Sequence, residues 1–322
     1  MRLVQIIVLL LFAISAVAKP SRQQIRLLNW WDYTSPKLVA KMKRLGYNIE
    51  LETYKSNNVV VSKLINNRAG FDVAIVSNQV LPDLLSAHML IKDQFIGLNR
   101  NYLSFTTKYA HDCLPYLWSA TIFSVIPKPH DHPKVHSLDQ LLALSAHGYK
   151  IGVIDDKLEV YDRLVQDHLP TTDFHPPLQS FTSSTGEILT RPGSAAYGWD
   201  GAIEPAVTRS LHVEMQLPKG RIIEGYDTVC LVNNKMSRMK LKSLVAFVKK
   251  FTDHKNTAMS AKYSQYFSPY VNDTRGLNSQ FAKLRARLLE RNKTEPPVVI
   301  SPLPPRKDAQ VSSWWRTVRY EK

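Results

Sequence analysis

Apolar positions from Ile25 to Val76 alternate between short continuous runs and stretches of helical spacing. The runs at 25–29, 49–53 and 71–76 predict strands, and 36–45 and 59–65 predict the helices between them. The first helix has a legible start. Ser35 is placed to cap it, Pro36 suits the first helical position, and Leu38, Val39, Met42 and Leu45 follow at helical spacing. Strands separated by single helices imply a parallel sheet with right-handed crossovers. The apolar run from Leu114 to Val125 predicts one long strand, and the Pro-, His- and Lys-rich segment from Pro127 to His136 predicts a loop.

A second unit of the same kind opens after that loop. Ser137 and Gln140 match a capping box for a helix over 138–145. A strand at 150–154 precedes a helix at 157–167 whose apolar face is Leu158, Tyr161, Leu164 and Val165. Beyond a polar loop (170–186) come a strand at 195–199, a helix at 202–209 and a strand near 212–217. Asp227–Asn233 predicts a strand again, and Leu241, Leu244, Val245, Val248 and Phe251 trace a helix face. Helices are expected at 255–265 and 279–291, then a proline-rich extended segment, then a final helix with Trp314 and Trp315. Two α/β units, 25–125 and 137–217, with a further strand–helix pair, predict two lobes joined more than once. The chain is expected to return to the first lobe near Asp227.

The N-terminus changes the address. Met-Arg, an apolar run from Leu3 to Val17 and Ala16-Val17-Ala18 before Lys19 make a secretory signal peptide. Removing 18 residues from 322 leaves 304, enough for one large domain or two lobes with cores of their own. No later stretch is apolar enough to cross a membrane, so a soluble exported protein is expected. The formal charge of +15 includes Arg2 and becomes about +14 after cleavage. Its lysines and arginines are scattered without an aromatic-interleaved basic repeat, so a solvated basic surface is expected and no nucleic-acid partner. Cys113 and Cys230 are the two cysteines; a disulfide between them and two buried thiols both remain open.

Candidate chemistry is limited. No phosphate-cradling Gly-rich loop, Gly-x-Ser-x-Gly, His-Glu-x-x-His or Cys-x-x-Cys is present, which weakens the case for an enzyme. His130, His132 and His136 could hold zinc, but in a Pro-interrupted loop they are better read as a solvent-facing cluster, with no metal or cofactor expected. More informative are the residues at strand ends, where α/β folds place ligands. Trp30, Trp31, Asp32 and Tyr33 follow the first strand, and Ser77-Asn78-Gln79 follows the third. Asp155, Asp156 and Glu159 follow the strand at 150–154, more acids than helix capping requires. Trp199 ends another strand beside Asp200, and Asp227 begins the return strand. Aromatic faces and carboxylates together suit a cation with an apolar body.

These residues occur in an order that resembles a known family. Asn29-Trp-Trp-Asp-Tyr33, Thr53-Tyr-Lys-Ser-Asn57, Phe71-Asp-Val-Ala-Ile-Val-Ser77, Leu114-Pro-Tyr-Leu-Trp-Ser-Ala120, Asp155-Asp-Lys-Leu-Glu-Val160, Gly198-Trp-Asp-Gly201 and Asp227-Thr-Val-Cys-Leu-Val232 are similar to the periplasmic spermidine/putrescine-binding proteins of ABC importers. The resemblance covers about residues 25 to 265. It implies a two-lobed periplasmic binding-protein fold of type II kind, each lobe a mainly parallel sheet flanked by helices, with the ligand in the interlobe cleft. Lobe 1 is expected over 19–125 and 226–280, and lobe 2 over 126–225 and 281–322. The family's pattern implies that Trp30, Tyr33 and Trp199 line a polyamine, with Asp32 beside the first two. It implies that Ser77 makes a polar contact, and that Asp156, Glu159 and Asp227 hold ammonium groups. A monomer that is no enzyme and hands its ligand to a membrane permease is expected. Two departures stand out: Gln79 and Gly225 replace aromatics of the family pattern. They leave another cationic or aromatic small molecule, a ligand sensor or a periplasmic enzyme on the same scaffold as alternatives.

Overall fold

The computed structural model describes residues 23–31, 33–176, 181–182, 185–209 and 212–320. The expected signal peptide and Asp32 lie outside the described residues. In chain order the strands are β1 (Gln23–Trp30), β2 (Tyr47–Tyr54), β3 (Val73–Ser77), β4 (Leu114–Ile126), β5 (Lys150–Ile154), β6 (Phe181–Thr182), β7 (Ser194–Trp199), β8 (Glu214–Gln216), β9 (Ile223–Leu231) and β10 (Val298–Val299). The helices are α1 (Pro36–Arg44), α2 (Asn57–Asn67), α3 (Leu81–Ser86), α4 (Leu138–Ala143), α5 (Lys157–Gln166), α6 (Glu204–Thr208), α7 (Arg238–Phe251), α8 (His254–Ser264), α9 (Ser279–Thr294) and α10 (Pro305–Tyr320).

The strand order is β2-β1-β3-β9-β4-β7-β5-β6, with β10 on β9 and β8 on β4. β2, β1 and β3 are mutually parallel, as are β6, β5 and β7. Between these parallel flanks run the two antiparallel strands β9 and β4. β4 serves both halves. Leu114 to Ala120 pair with β9, and Thr121 to Ile126 pair with β7. All 13 of its residues are buried, which is why its sequence reads as an unbroken apolar run. Its register on β9 shifts between Pro115 and Leu117, where proline has no N–H to offer the ladder.

Each half has its own core. On the β1–β3 side, Leu244, Phe247, Val248 and Phe251 of α7 pack with Leu38 and Met42 of α1 over Ile25, Leu27 and Val73. On the β5–β7 side, Val160 and Leu164 of α5 pack with Val318 of α10 over Val153, Ala195 and Tyr197. Cys113 and Cys230 are joined, tying the approach to β4 onto β9 across 117 residues of sequence.

Two capping expectations need correction. Ser35 and Ser137 precede their helices, but neither side chain makes a capping hydrogen bond. The carboxylate of Asp167, held against the buried Arg163, reaches across from the end of α5 and accepts from Leu138 N at 2.8 Å. Gln140 Oε1 accepts from His136 N at 2.9 Å, one residue before the position a capping box would use.

Candidate functional site

The site grows from the carboxyl ends of β1 and β3 and the middle of β9. Ser77, last in β3, sits opposite Asp227 in the antiparallel register. The Asp227 carboxylate accepts from Trp30 Nε1 at 2.9 Å on one oxygen and from the Tyr33 hydroxyl on the other. Burial lifts this carboxyl to about 6, and the two donated hydrogen bonds oppose the rise. Trp30 is braced by the Tyr54 ring, with centroids 4.5 Å apart. Trp31 instead points outward, 57% exposed, with Lys55 Nζ 5.0 Å from its ring centroid.

From the other half comes Glu159, in the first turn of α5 and 1% exposed. Gln79, two residues past β3, donates from Nε2 to Glu159 Oε1 at 3.2 Å. Its own amide oxygen accepts from Asn57 Nδ2 at 2.7 Å, and its backbone N–H donates to Ser77 Oγ at 3.2 Å. A chain Asn57–Gln79–Glu159 therefore crosses from one half to the other. Glu159 Oε2 is buried without a hydrogen-bond partner. Burial and then the neighbouring Asp156 raise the Glu159 carboxyl well above the usual range, with Gln79 and Trp199 opposing. A buried carboxylate with so few donors is costly to hold charged and is well matched to a cation.

Trp199 closes the other side. A Cβ at position 225 would lie 2.8 Å from Trp199 Cη2, so the ring can rest on β9 only because residue 225 is glycine. That contact places Trp199 two residues from Asp227. Trp30, Tyr33, Ser77, Glu159, Trp199 and Asp227 thus converge. Asp156 caps α5 through one carboxylate oxygen, which accepts from Leu158 N at 2.9 Å and Glu159 N at 3.3 Å. Asp155 pairs with Arg319 at 2.8 Å, fastening α10. His132 bonds Glu214 at 3.0 Å and His136 bonds the Leu217 carbonyl at 2.8 Å.

Two participants, Tyr266 and Asn57, were not anticipated from sequence, nor was the role of Gly225 beneath Trp199. The Tyr266 ring packs 5.2 Å from that of Tyr33 and against Gly201, where a Cβ would approach within 2.6 Å. Burial, then the charges of Asp200, Asp227 and Glu159, push the Tyr266 hydroxyl far up. Its stretch carries no local signal beyond a helix end. Asn57 and Gly225 matter through contacts with Gln79 and Trp199, which adjacency in sequence does not show. Asp200 is fully buried and spends its oxygens on Ala120 N (3.2 Å) and Gly201 N (2.7 Å).

Two α/β halves joined by crossing strands, with polar and aromatic groups meeting between them, are the architecture of the two-lobed periplasmic binding proteins. Among solved structures, a spermidine/putrescine ABC transporter substrate-binding protein from Streptococcus pneumoniae matches with a TM-score of 0.73 at 15% identity, covering 92% of this chain and 99% of that one. A eukaryotic thiaminase-I bound to 3-deazathiamin matches with a TM-score of 0.61, also at 15% identity, covering 92% and 99% of the two chains. In sequence, a putrescine/agmatine-binding protein of Pseudomonas aeruginosa is 28% identical over 116 residues, 31% of this chain and 30% of that protein. A putrescine-binding periplasmic protein of Escherichia coli is 29% identical over 122 residues, 34% and 33% of the two. The chain spans about a third of the length of the curated relatives it matches. No family model matches it.

Proposed function

We propose that this chain is a periplasmic solute-binding protein that captures a short polyamine in the cleft between its halves and delivers it to the permease of an ABC importer. One observation carries the reading. Two buried carboxylates, Asp227 and Glu159, come from different halves and are flanked by Trp30, Tyr33 and Trp199. Asp200 spends both oxygens on backbone amides and Asp156 turns one of its own to the first amides of its helix, so Asp227 and Glu159 are the two charged ends of the proposal, an arrangement that suits a diamine. Rings cover the methylene chain while the acids meet the ammonium groups, each ring–cation contact adding ~0.5–2 kcal/mol once water is excluded. Closure follows because a ligand that touches both halves favours the state in which they meet.

The names of the relatives support the ligand class and the periplasmic address. Capture without turnover is the reading for this chain, although the thiaminase shows that the scaffold can host an enzyme. Titration calorimetry of ligand-stripped protein with putrescine, cadaverine and spermidine tests the proposal. The diamines are expected to bind more tightly than spermidine. Absence of heat with all three removes the polyamine assignment.

A further inference from the structure

Behind the cleft, the strands that carry it end in a different kind of hollow. In the β3–β9 ladder Ser77 faces Asp227 at the cleft, and Val73 faces Leu231 four residues away. At ~3.3 Å per residue the two ends are separated by ~13 Å. At the Val73–Leu231 end lies a hollow of about 400 Å³, lined by Arg26, Arg68, Lys235 and Lys240 together with Ile65 and Met89.

Behind two of these cations lies Asp72, 1% exposed. The Asp72 carboxylate accepts from Arg26 N at 2.9 Å and pairs with Lys240 Nζ at 2.6 Å and Arg26 Nε at 3.8 Å. One acid therefore fixes two cations in place. Arg68 spends Nη1 on the His88 carbonyl at 3.3 Å. Among the described residues neither Arg68 nor Lys235 has a carboxylate partner. Four cations face one acid, and the surplus positive charge is held in a concave space before any ligand arrives. Arg68 keeps Nη2 and Nε, and Lys235 keeps all three ammonium hydrogens, as donors for an anion. Ile65, 59% exposed, and Met89 supply an apolar wall beside them.

From this geometry we infer that the first half of the molecule carries a second site, remote from the cleft, for a phosphate group attached to a short apolar body. A planar guanidinium fork and an ammonium together match a tetrahedral oxyanion, and Asp72 has already ordered the other two cations. A free phosphate monoester and an anionic phospholipid headgroup share this chemistry.

Two arms separate the sources. At low ionic strength, glycerol phosphate is titrated into the protein by calorimetry, and vesicles of phosphatidylcholine with and without phosphatidylglycerol are tested by co-sedimentation. Saturable heat assigns the free ester, whereas vesicle binding without that heat assigns the headgroup. In either arm R68S/K235S is expected to weaken binding at least tenfold, while K37S/K43S, on α1 and outside the lining of the hollow, has little effect. Diamine affinity at the cleft is expected to be the same in all three proteins. Failure of both probes overturns the inference. So does an equal loss in the two double variants, which would reduce the effect to net charge.

Discussion

Replacing Asp227 by asparagine tests the cleft most sharply. In the native protein both carboxylate oxygens accept, one from Trp30 Nε1 and one from the Tyr33 hydroxyl. An amide keeps one acceptor and turns an N–H toward the other donor, so one of the two bonds is lost. Its larger effect is on the ligand, whose ammonium then has no carboxylate partner. Removing one member of a desolvated charge pair costs about 2–5 kcal/mol, or roughly 30- to several-thousand-fold in affinity. The pH profile adds a second reading. Burial raises the Asp227 carboxyl to about 6, so the ligand-free fold binds a proton that the unfolded chain gives up near pH 4. The carboxyl's contribution to ligand-free stability is therefore present at low pH and is lost as pH rises through that window, levelling above about 6. An ammonium ligand needs the ionised form, so native affinity is expected to weaken about tenfold per unit as pH falls below about 6. Calorimetry with putrescine between pH 5 and 8 would measure both. D227N should bind weakly and lose this group's part of the slope. Native affinity and native slope in D227N would refute the assignment of this carboxylate to the ligand.

Further outcomes follow from other contacts. W199A is expected to weaken diamine binding at least tenfold with little change in melting temperature, and an unchanged Kd would place the ring outside the site. G225V would drive a side chain into Trp199, a 2.8 Å approach for Cβ alone, and should reduce affinity and alter Trp fluorescence; a native spectrum would count against the packing described. Reducing the Cys113–Cys230 bond opens a long loop, and such a cross-link is worth up to about 4–5 kcal/mol in the chain-entropy account. A melting temperature lower by on the order of 10 °C is expected by calorimetry, and no change would show that the bond constrains little. The formal charge of +15 repels a cationic ligand at long range. Stopped-flow association should therefore speed up with added salt, and slowing would show that the acids dominate the outer field.

Hydrophobic rhythm alone determined most of the element list, because burial on one side of a helix or both sides of a strand leaves a periodic trace. β4 was legible as a single strand from Leu114 onward, yet nothing local revealed that Ala120 and Thr121 pair with different partners. Order of motifs placed Trp30, Tyr33, Glu159, Trp199 and Asp227 as candidates, and their chemistry suggested a cation. Tertiary structure set what each acid touches. Asp156 and Asp200 look like Glu159 and Asp227 in sequence, but Asp156 caps its own helix through one oxygen and Asp200 turns both to backbone amides, whereas Asp227 meets side-chain donors and Glu159 meets Gln79. The fit of Trp199 over Gly225, the relay from Asn57 through Gln79, and the arrival of Tyr266 join residues distant along the chain. The disulfide was likewise open until β9 brought Cys230 beside Cys113. Periodicity records each residue's exposure, whereas a binding site depends on which polar atoms remain unpaired once the halves have met, and that is a property of the assembled neighbours.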